Sequence, residues 1–340
     1  MKADPILEVQ HLSKEFPVHA GLLRRQVGTI HAVQKVSFSL NRGETLGIVG
    51  ESGCGKTTLA RCLIRLIEPT SGSVKLRTNG SDVDLLSLSG KEMRTERRHM
   101  QMVFQDPVAS LNPRIPVLDI VGEPLVVNRI CRGRELTHRV GRLLETVGLA
   151  AVDMHRYPHA FSGGQRQRIG IARSLALQPE LIIADEPVSA LDVSVRAQIL
   201  NLLADLKNEL GLSLIFIGHD LSIVRHICDR VAVMYLGRIV EIGDAERIFE
   251  KPRHPYTEAL LSAVPVPDPV VQRKRSRVML SGEPPSPMDP PKGCPFHPRC
   301  RCSIEDCQLD VPELRELDSG VKAACIRAEE IELAGMRTAE

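Results

Sequence analysis

Three short apolar runs predict the strands of a buried parallel sheet. They are Thr45–Val49, Leu181–Ala184 and Ser213–Ile217. Continuous apolar runs of this length are typical of strands covered on both faces. Two segments nearer the N-terminus, Ile6–Val9 and Ala32–Leu40, also predict strands, and the second alternates apolar with polar residues as a half-buried strand does.

Helical patterns lie between these strands. An amphipathic pattern runs from Val117 to about Val152, with Gly133 and Gly148 interrupting it, and it predicts a helical insertion. A further helix is predicted over Val193–Leu210, between two of the apolar strands. Strands that alternate with helices in this way indicate an α/β fold.

A glycine-rich turn follows the first apolar run and precedes a helical pattern over Leu59–Ile67. It fits the phosphate-loop pattern Gly-x4-Gly-Lys-[Ser/Thr], and its candidate nucleotide-binding residues are Gly50, Ser52, Gly53, Cys54, Gly55, Lys56, Thr57 and Thr58. Glycines let backbone N–H groups turn toward a polyphosphate at a helix N-terminus. Lys56 would neutralise the β- and γ-phosphates, and the Thr57 hydroxyl would complete the shell of a Mg²⁺ ion. The alternative is a glycine-rich turn that carries a lysine by chance.

Polar residues follow the other predicted strands. Asp185 and Glu186 come directly after one apolar run, and His219 follows the next. Since an α/β sheet binds ligands at the carboxyl ends of its strands, Asp185 is suited to hold Mg²⁺ and Glu186 to activate the water that attacks the γ-phosphate. Gln105 ends a strand after Met102–Phe104, and its amide could join the Mg²⁺ or the water to this loop.

A second helix start suited to an anion lies at Ser162, Gly163, Gly164 and Gln165. Ser162 is placed as an N-cap, and two glycines allow a close approach of backbone to phosphate. A capped helix without a ligand is the simpler interpretation. Two such helix starts do not easily serve one nucleotide within one chain, so the second would meet a nucleotide held by another subunit.

Charge and composition exclude several classes of function. The 340 residues carry a formal net charge of only +2 and no tryptophan, which argues against nucleic acid held by bulk charge or base stacking. No apolar run is long enough to cross a membrane, and no signal-peptide core follows the first residues. We therefore expect a cytosolic protein whose membrane role, if it has one, depends on partners.

Five of the nine cysteines crowd into the last fifth of the chain. Cys294, Cys300, Cys307 and Cys325 share a proline-rich segment with few large apolar residues. In a reducing cytosol, thiols gathered in this way suggest a metal centre that substitutes for a core. Reduced cysteines without metal are the alternative.

Taken together and in order, these motifs resemble those of the ATP-binding cassette ATPases, over about residues 5–250. The resemblance implies a phosphate-loop cassette of mixed sheet with an antiparallel β subdomain and a helical subdomain at about residues 110–178. It places Phe16 at the position that stacks on adenine, Gln105 in the glutamine loop, Glu186 as catalytic base and His219 as switch histidine. It makes Ser162, Gly163, Gly164 and Gln165 the signature that contacts the γ-phosphate across a head-to-tail dimer. Phe161 stands where leucine is commoner.

The chain from residue 251 to 340 resembles the C-terminal extension of oligopeptide and dipeptide importer ATPases. That resemblance implies a [4Fe–4S] cluster on Cys294, Cys300, Cys307 and Cys325. Cys302 is an additional thiol, which could replace one of these ligands or take no part. Zn²⁺ is the rival metal, because four thiolates suit both.

The resemblance also predicts the setting in which the chain works. It implies a peripheral subunit at the cytoplasmic face of the cell membrane, paired with a related ATPase and docked on two permease subunits. A peptide-binding protein outside the membrane would supply the solute. The alternatives are a soluble cassette ATPase acting on nucleic acid or the ribosome, and an importer of nickel, glutathione or another small solute. A single phosphate loop and the lack of a long heptad repeat disfavour the first.

Overall fold

The computed structural model describes residues 5–21, 25–78, 80–265, 278–317 and 320–336. Two compact units interleave along the chain. One unit is built mainly from Arg77–Ile217, and the other contains Leu7–Leu40, Thr45–Leu76 and the chain from Gly218 onward. The phosphate loop and the cysteine-rich region therefore belong to the same unit. The boundary near residue 250 that the sequence suggests remains a prediction.

The strands are numbered in chain order. They are β1 Pro5–Ala20, β2 Arg25–Asn41, β3 Thr45–Val49, β4 Ser71–Thr78, β5 Ser81–Asp84, β6 Met100–Val103, β7 Leu181–Asp185, β8 Ser213–Gly218, β9 Arg230–Tyr235, β10 Arg238–Asp244, β11 Arg315–Glu316 and β12 Lys322–Ala323. The three apolar runs are confirmed as β3, β7 and β8, and every residue of these strands is buried.

The helices are numbered in the same way. They are α1 Lys56–Leu63, α2 Gly90–Glu96, α3 Pro107–Ser110, α4 Val117–Val127, α5 Arg134–Thr146, α6 Gly163–Leu175, α7 Val193–Leu210, α8 Leu221–Ile227, α9 Ala245–Glu250 and α10 Pro255–Ser262. The interrupted helical pattern is confirmed as α4 and α5, and a 3-10 turn follows them at Ala151–His155. In this part of the chain α4 packs on both α5 and α6.

In the unit built mainly from Arg77–Ile217, β6, β7 and β8 form parallel pairs. Parallel register brings the carboxyl ends of all three strands to one edge. Gln105 follows β6 closely and Glu186 directly follows β7, so the topology places these two residues at that edge. The proximity of Gln105 and Glu186 thus follows from the order of the strands.

The other unit combines parallel and antiparallel pairs. In it β3 pairs in parallel with β9, and β9 pairs antiparallel with β10. Near the C-terminus, β12 pairs with β10 and β11 pairs with β12. The region after residue 250 therefore adds strands to the same sheet that carries the phosphate loop on β3.

Candidate functional site: a phosphate loop and its surroundings

The phosphate loop links β3 to α1, and two of its glycines lie where a side chain would clash with neighbouring backbone. Gly55 caps α1 with a φ of 107°. A Cβ atom there would lie 2.2 Å from the carbonyl oxygen of Ala32, and one at Gly50 would lie 2.1 Å from that of Met234. Backbone packed this closely has no room for a side chain. Ser52 and Gly53, at the tip of the loop, are exposed.

Lys56 is buried within this loop. Its ammonium donates hydrogen bonds to the carbonyl oxygens of Gly50 and Glu51 at 2.8 and 2.9 Å. A buried ammonium needs such partners, and the loop itself supplies two of them. Burial raises the pKa of the neighbouring Cys54 thiol, and Lys56 partly offsets this rise. Thr57 and Thr58 are half-buried in the first turn of α1.

A pair of carboxylates ends β7, and the two differ in environment. Asp185 is buried, whereas Glu186 is partly exposed and has a φ of 44°. The Glu186 N–H donates to the carbonyl oxygen of Ile217 at 3.0 Å, and the Gln105 amide donates to the Glu186 carboxylate at 3.1 Å. A left-handed conformation is uncommon for glutamate and marks a backbone that the surrounding structure holds in place.

The helix start predicted at Ser162 is confirmed as an N-cap. The Ser162 hydroxyl accepts from the Gln165 backbone N–H at 3.3 Å, and the Gln165 side-chain oxygen accepts from the Ser162 N–H at 3.0 Å. This is a complete capping box. Gly164 lies so close to α7 that a Cβ atom would fall 2.3 Å from a methyl group of Val195. The close packing of α6 on α7 therefore explains why position 164 is a glycine.

Phe16 lies on a strand, and His219 directly follows one. Phe16 lies on β1, half-buried, with the Lys14 ammonium 4.8 Å from the centre of its ring. One face of the ring thus already contacts a cation. His219 is exposed and comes directly after the last residue of β8.

The cysteines of the C-terminal region gather around one small cavity. It is lined by Cys294, Cys300, Cys302, Cys307 and Cys325, together with His254 and His297. All five are free thiols. Burial raises the pKa of Cys300 to about 12 and that of Cys325 to about 11, so both thiols are neutral near pH 7 in the absence of a cation. Within the described ranges, no group of three or more histidine, cysteine or acidic residues is arranged to hold a metal ion.

Sequence reasoning missed three functional residues, one in the phosphate loop and two beside it. Glu51, Tyr256 and Arg299 form a hydrogen-bonded set: the Glu51 N–H donates to the Tyr256 hydroxyl, and Arg299 donates twice to the Glu51 carboxylate. The only sequence signal is indirect. Tyr256 lies in the His-Pro-Tyr-Thr stretch, and Arg299 directly precedes Cys300.

The fold and the loop define a phosphate-loop nucleotide-binding protein. The chain belongs to the ABC transporter family, whose model matches residues 33–189. A second family model, the C-terminal region of oligopeptide/dipeptide transporters, matches residues 240–307. The chain is thus an ATP-binding cassette ATPase, in agreement with the expectation from its motifs.

Curated relatives are similar over nearly the whole chain. A probable peptide ABC transporter ATP-binding protein, y4tS of Sinorhizobium fredii, is 54% identical over 95% of this chain and 90% of its own length. The oligopeptide transport ATP-binding protein AppF of Bacillus subtilis is 52% identical over 95% of this chain and 97% of its own.

Solved cassettes share the fold. The ATP-binding cassette MJ0796, in a dimeric post-hydrolysis state with ADP and phosphate, is 28% identical with a TM-score of 0.60. It covers 70% of this chain and 98% of its own. CbiO1 of Clostridium perfringens, part of an ABC transporter complex, is 30% identical with a TM-score of 0.60, over 72% of this chain and 91% of its own.

In the part of the chain that the structure describes, no helix is both long and apolar enough to cross a membrane.

Proposed function

We propose that this chain is the ATP-hydrolysing subunit of a membrane importer for dipeptides or oligopeptides. The observation that carries the proposal is the match of residues 240–307 to the C-terminal region of oligopeptide/dipeptide transporters. Relatives that are about half identical and cover almost the whole chain bear names of peptide transport proteins, which supports it. Nickel, glutathione or another small solute is the alternative cargo.

Within the nucleotide site, each polar residue has a proposed task. Lys56 and the loop N–H groups bind the phosphates, while Thr57 and Asp185 hold Mg²⁺. Glu186 activates the attacking water, and Gln105 links that water or the metal ion to its loop. The hydrogen bond from Gln105 to Glu186 supports this pairing. His219 contacts the γ-phosphate, and Phe16 stacks on the adenine.

The second helix start completes the site from another subunit. In a head-to-tail dimer, Ser162, Gly163, Gly164 and Gln165 contact the γ-phosphate that Lys56 of the partner holds. The Ser162 hydroxyl accepts from the Gln165 N–H, and its own O–H proton is therefore available for a phosphate oxygen. Closure is favoured while the γ-phosphate is present and loses this contact after hydrolysis. Each turnover then drives one closing and opening of the dimer.

The proposed partners are a related ATPase, two permease subunits and, indirectly, a peptide-binding protein, with this chain at the cytoplasmic face of the membrane. Affinity purification of the tagged chain from detergent-solubilised membranes tests this. We expect two hydrophobic permease chains and a second cassette ATPase to co-purify. Recovery of RNA or ribosomal proteins instead, with no membrane chain, would favour a soluble cassette acting on nucleic acid.

We further propose that Cys294, Cys300, Cys307 and Cys325 hold a metal centre. The donor set supports it, because four thiols facing one cavity suit a soft metal. The family resemblance favours a [4Fe–4S] cluster. The cavity volume is about 20 Å³, and the described thiols are not yet arranged to hold an ion, so either centre requires the cysteines to move, a cluster more than a single Zn²⁺ ion.

Metal analysis of the anaerobically purified chain decides between these centres. For a cluster we expect about four iron and four sulfide per chain with visible absorbance, and Cys300→Ser to remove most of both. Cys302→Ser is the matched control and is expected to retain them. One zinc per chain would show that the centre is Zn²⁺. A chain that purifies without metal, and whose melting temperature does not change when iron or zinc is added, would exclude a metal centre.

A further inference from the structure

Glu51, the second residue of the phosphate loop, is held at three points. Its backbone N–H donates to the Tyr256 hydroxyl at 2.9 Å. Its carbonyl oxygen accepts from the Lys56 ammonium at 2.9 Å. Its carboxylate accepts two hydrogen bonds from the Arg299 guanidinium, at 2.8 and 3.1 Å. Two of the three partners thus come from the chain after residue 250 and not from the loop itself.

Tyr256 and Arg299 lie in a buried aromatic cluster. Tyr235, Tyr256 and Phe296 are fully buried and pack against one another with ring centres 4.7 to 5.3 Å apart. The Arg299 guanidinium lies 6.0 Å from the centre of the Tyr235 ring, and its side chain is only 7% exposed. A guanidinium that makes two parallel bonds to one carboxylate fixes that carboxylate in direction as well as distance. The extension therefore constrains where Glu51 lies.

The negative charge of Glu51 makes its position important for the binding of ATP. An unpaired Glu51 carboxylate would repel an approaching triphosphate, since both are anions and the partly buried setting weakens solvent screening. Arg299 cancels that charge. Tyr256 fixes the peptide N–H at the entry of the loop, and through Glu51 it also supports the carbonyl that holds Lys56.

We propose that Arg299 and Tyr256 are positioning residues for ATP binding, which act on the phosphate loop through Glu51. The C-terminal extension is then a component of the nucleotide site in addition to whatever its cysteines bind. This role concerns nucleotide affinity and is independent of the solute that the complex carries.

The proposal is tested by measuring the affinity of the full-length chain for a fluorescent ATP analogue. A second substitution that removes the Glu51 charge should reverse the loss of affinity that the first one causes. Arg299→Gln is expected to weaken binding about tenfold or more, because it exposes the Glu51 charge to the triphosphate. Adding Glu51→Gln to that variant removes the charge and is expected to restore most of the affinity. In steady-state hydrolysis by the membrane complex, the KM for ATP should rise while kcat changes little.

Arg301→Gln is the matched control. Arg301 lies on the same short segment as Arg299, but its guanidinium binds Glu258 at 2.7 and 2.8 Å and not the phosphate loop. We expect its loss to lower the melting temperature without changing the affinity for ATP. Weakening of ATP binding by Arg301→Gln equal to that by Arg299→Gln would mean that both arginines only stabilise the extension, and the proposal would be wrong.

Two gentler variants keep the test decisive if Arg299→Gln does not fold. Arg299→Lys retains the positive charge and is expected to bind ATP within a few fold of the natural protein. Tyr256→Phe keeps the buried ring and removes only the acceptor of the Glu51 N–H, so a several-fold loss of affinity with little change in melting temperature supports the proposal. Unchanged affinity in Tyr256→Phe, or a double variant that binds as weakly as Arg299→Gln, would overturn it.

Discussion

Replacing Glu186 by glutamine is expected to lower multiple-turnover ATP hydrolysis by about 10²–10⁴-fold, the usual contribution of a general base. ATP binding should persist, because the substitution is isosteric and lies outside the phosphate loop. The Gln105 amide can still donate to the side-chain oxygen at position 186, so the local geometry should also persist. A hydrolysis-blocked dimer should then accumulate with ATP and Mg²⁺, as measured by size-exclusion chromatography with light scattering and by phosphate release.

Glu145→Gln provides the matched control for this experiment. Glu145 lies on α5 and is exposed, and the same change of charge there should leave hydrolysis unchanged. Full turnover by Glu186→Gln would contradict the role of Glu186. Loss of turnover without accumulation of a dimer would instead contradict the closing of two chains around ATP.

The sequence predicted the central strands well because their signal is local. Residues Thr45–Val49 form β3 and residues Val193–Leu210 form α7, with the bounds that the apolar pattern indicated. Burial on both faces leaves a strand uniformly apolar, and one buried face leaves a long helix periodic. Such patterns need no knowledge of distant residues.

Apolar periodicity alone predicted the ends of some helices less well. The helix after the phosphate loop was expected over Leu59–Ile67 but spans Lys56–Leu63, because it begins directly at the capping glycine Gly55. By contrast, α6 begins at Gly163, as the N-cap predicted at Ser162 requires, although its apolar-periodic part begins six residues later. Apolar periodicity does not report the first turn of a helix whose residues are polar or glycine.

Some residues of the candidate site could be predicted from the sequence, and others could not. Motif spacing was sufficient to single out Gln105 and Glu186, and the strand order explains why they lie within hydrogen-bonding distance. The contact of Glu51 with Arg299 joins positions 248 residues apart, and no local pattern reports such a pairing. The left-handed backbone at Glu186 was equally invisible, since it follows from the packing around the residue.

Replacing Ser162 by alanine is expected to lower ATP hydrolysis about 10- to 100-fold, because it removes a hydroxyl donor from the γ-phosphate in the closed dimer. Binding of ATP to the isolated full chain should not change, since the affected nucleotide belongs to the other subunit. The variant also loses an N-cap, which costs about 1 kcal/mol of stability. Hydrolysis by the complex and ATP binding by the isolated chain are the two measurements.

Ser89→Ala separates the two consequences of this change. Ser89 caps α2 in a capping box with Glu92, just as Ser162 caps α6 with Gln165. Both variants should therefore lose a similar amount of stability, but only Ser162→Ala should lose hydrolysis. Equal losses of hydrolysis in the two variants would show that Ser162 acts only as a helix cap, because the effect would then follow from stability alone. Weaker ATP binding by isolated Ser162→Ala chains would place the turn at its own chain's nucleotide and would contradict the head-to-tail arrangement.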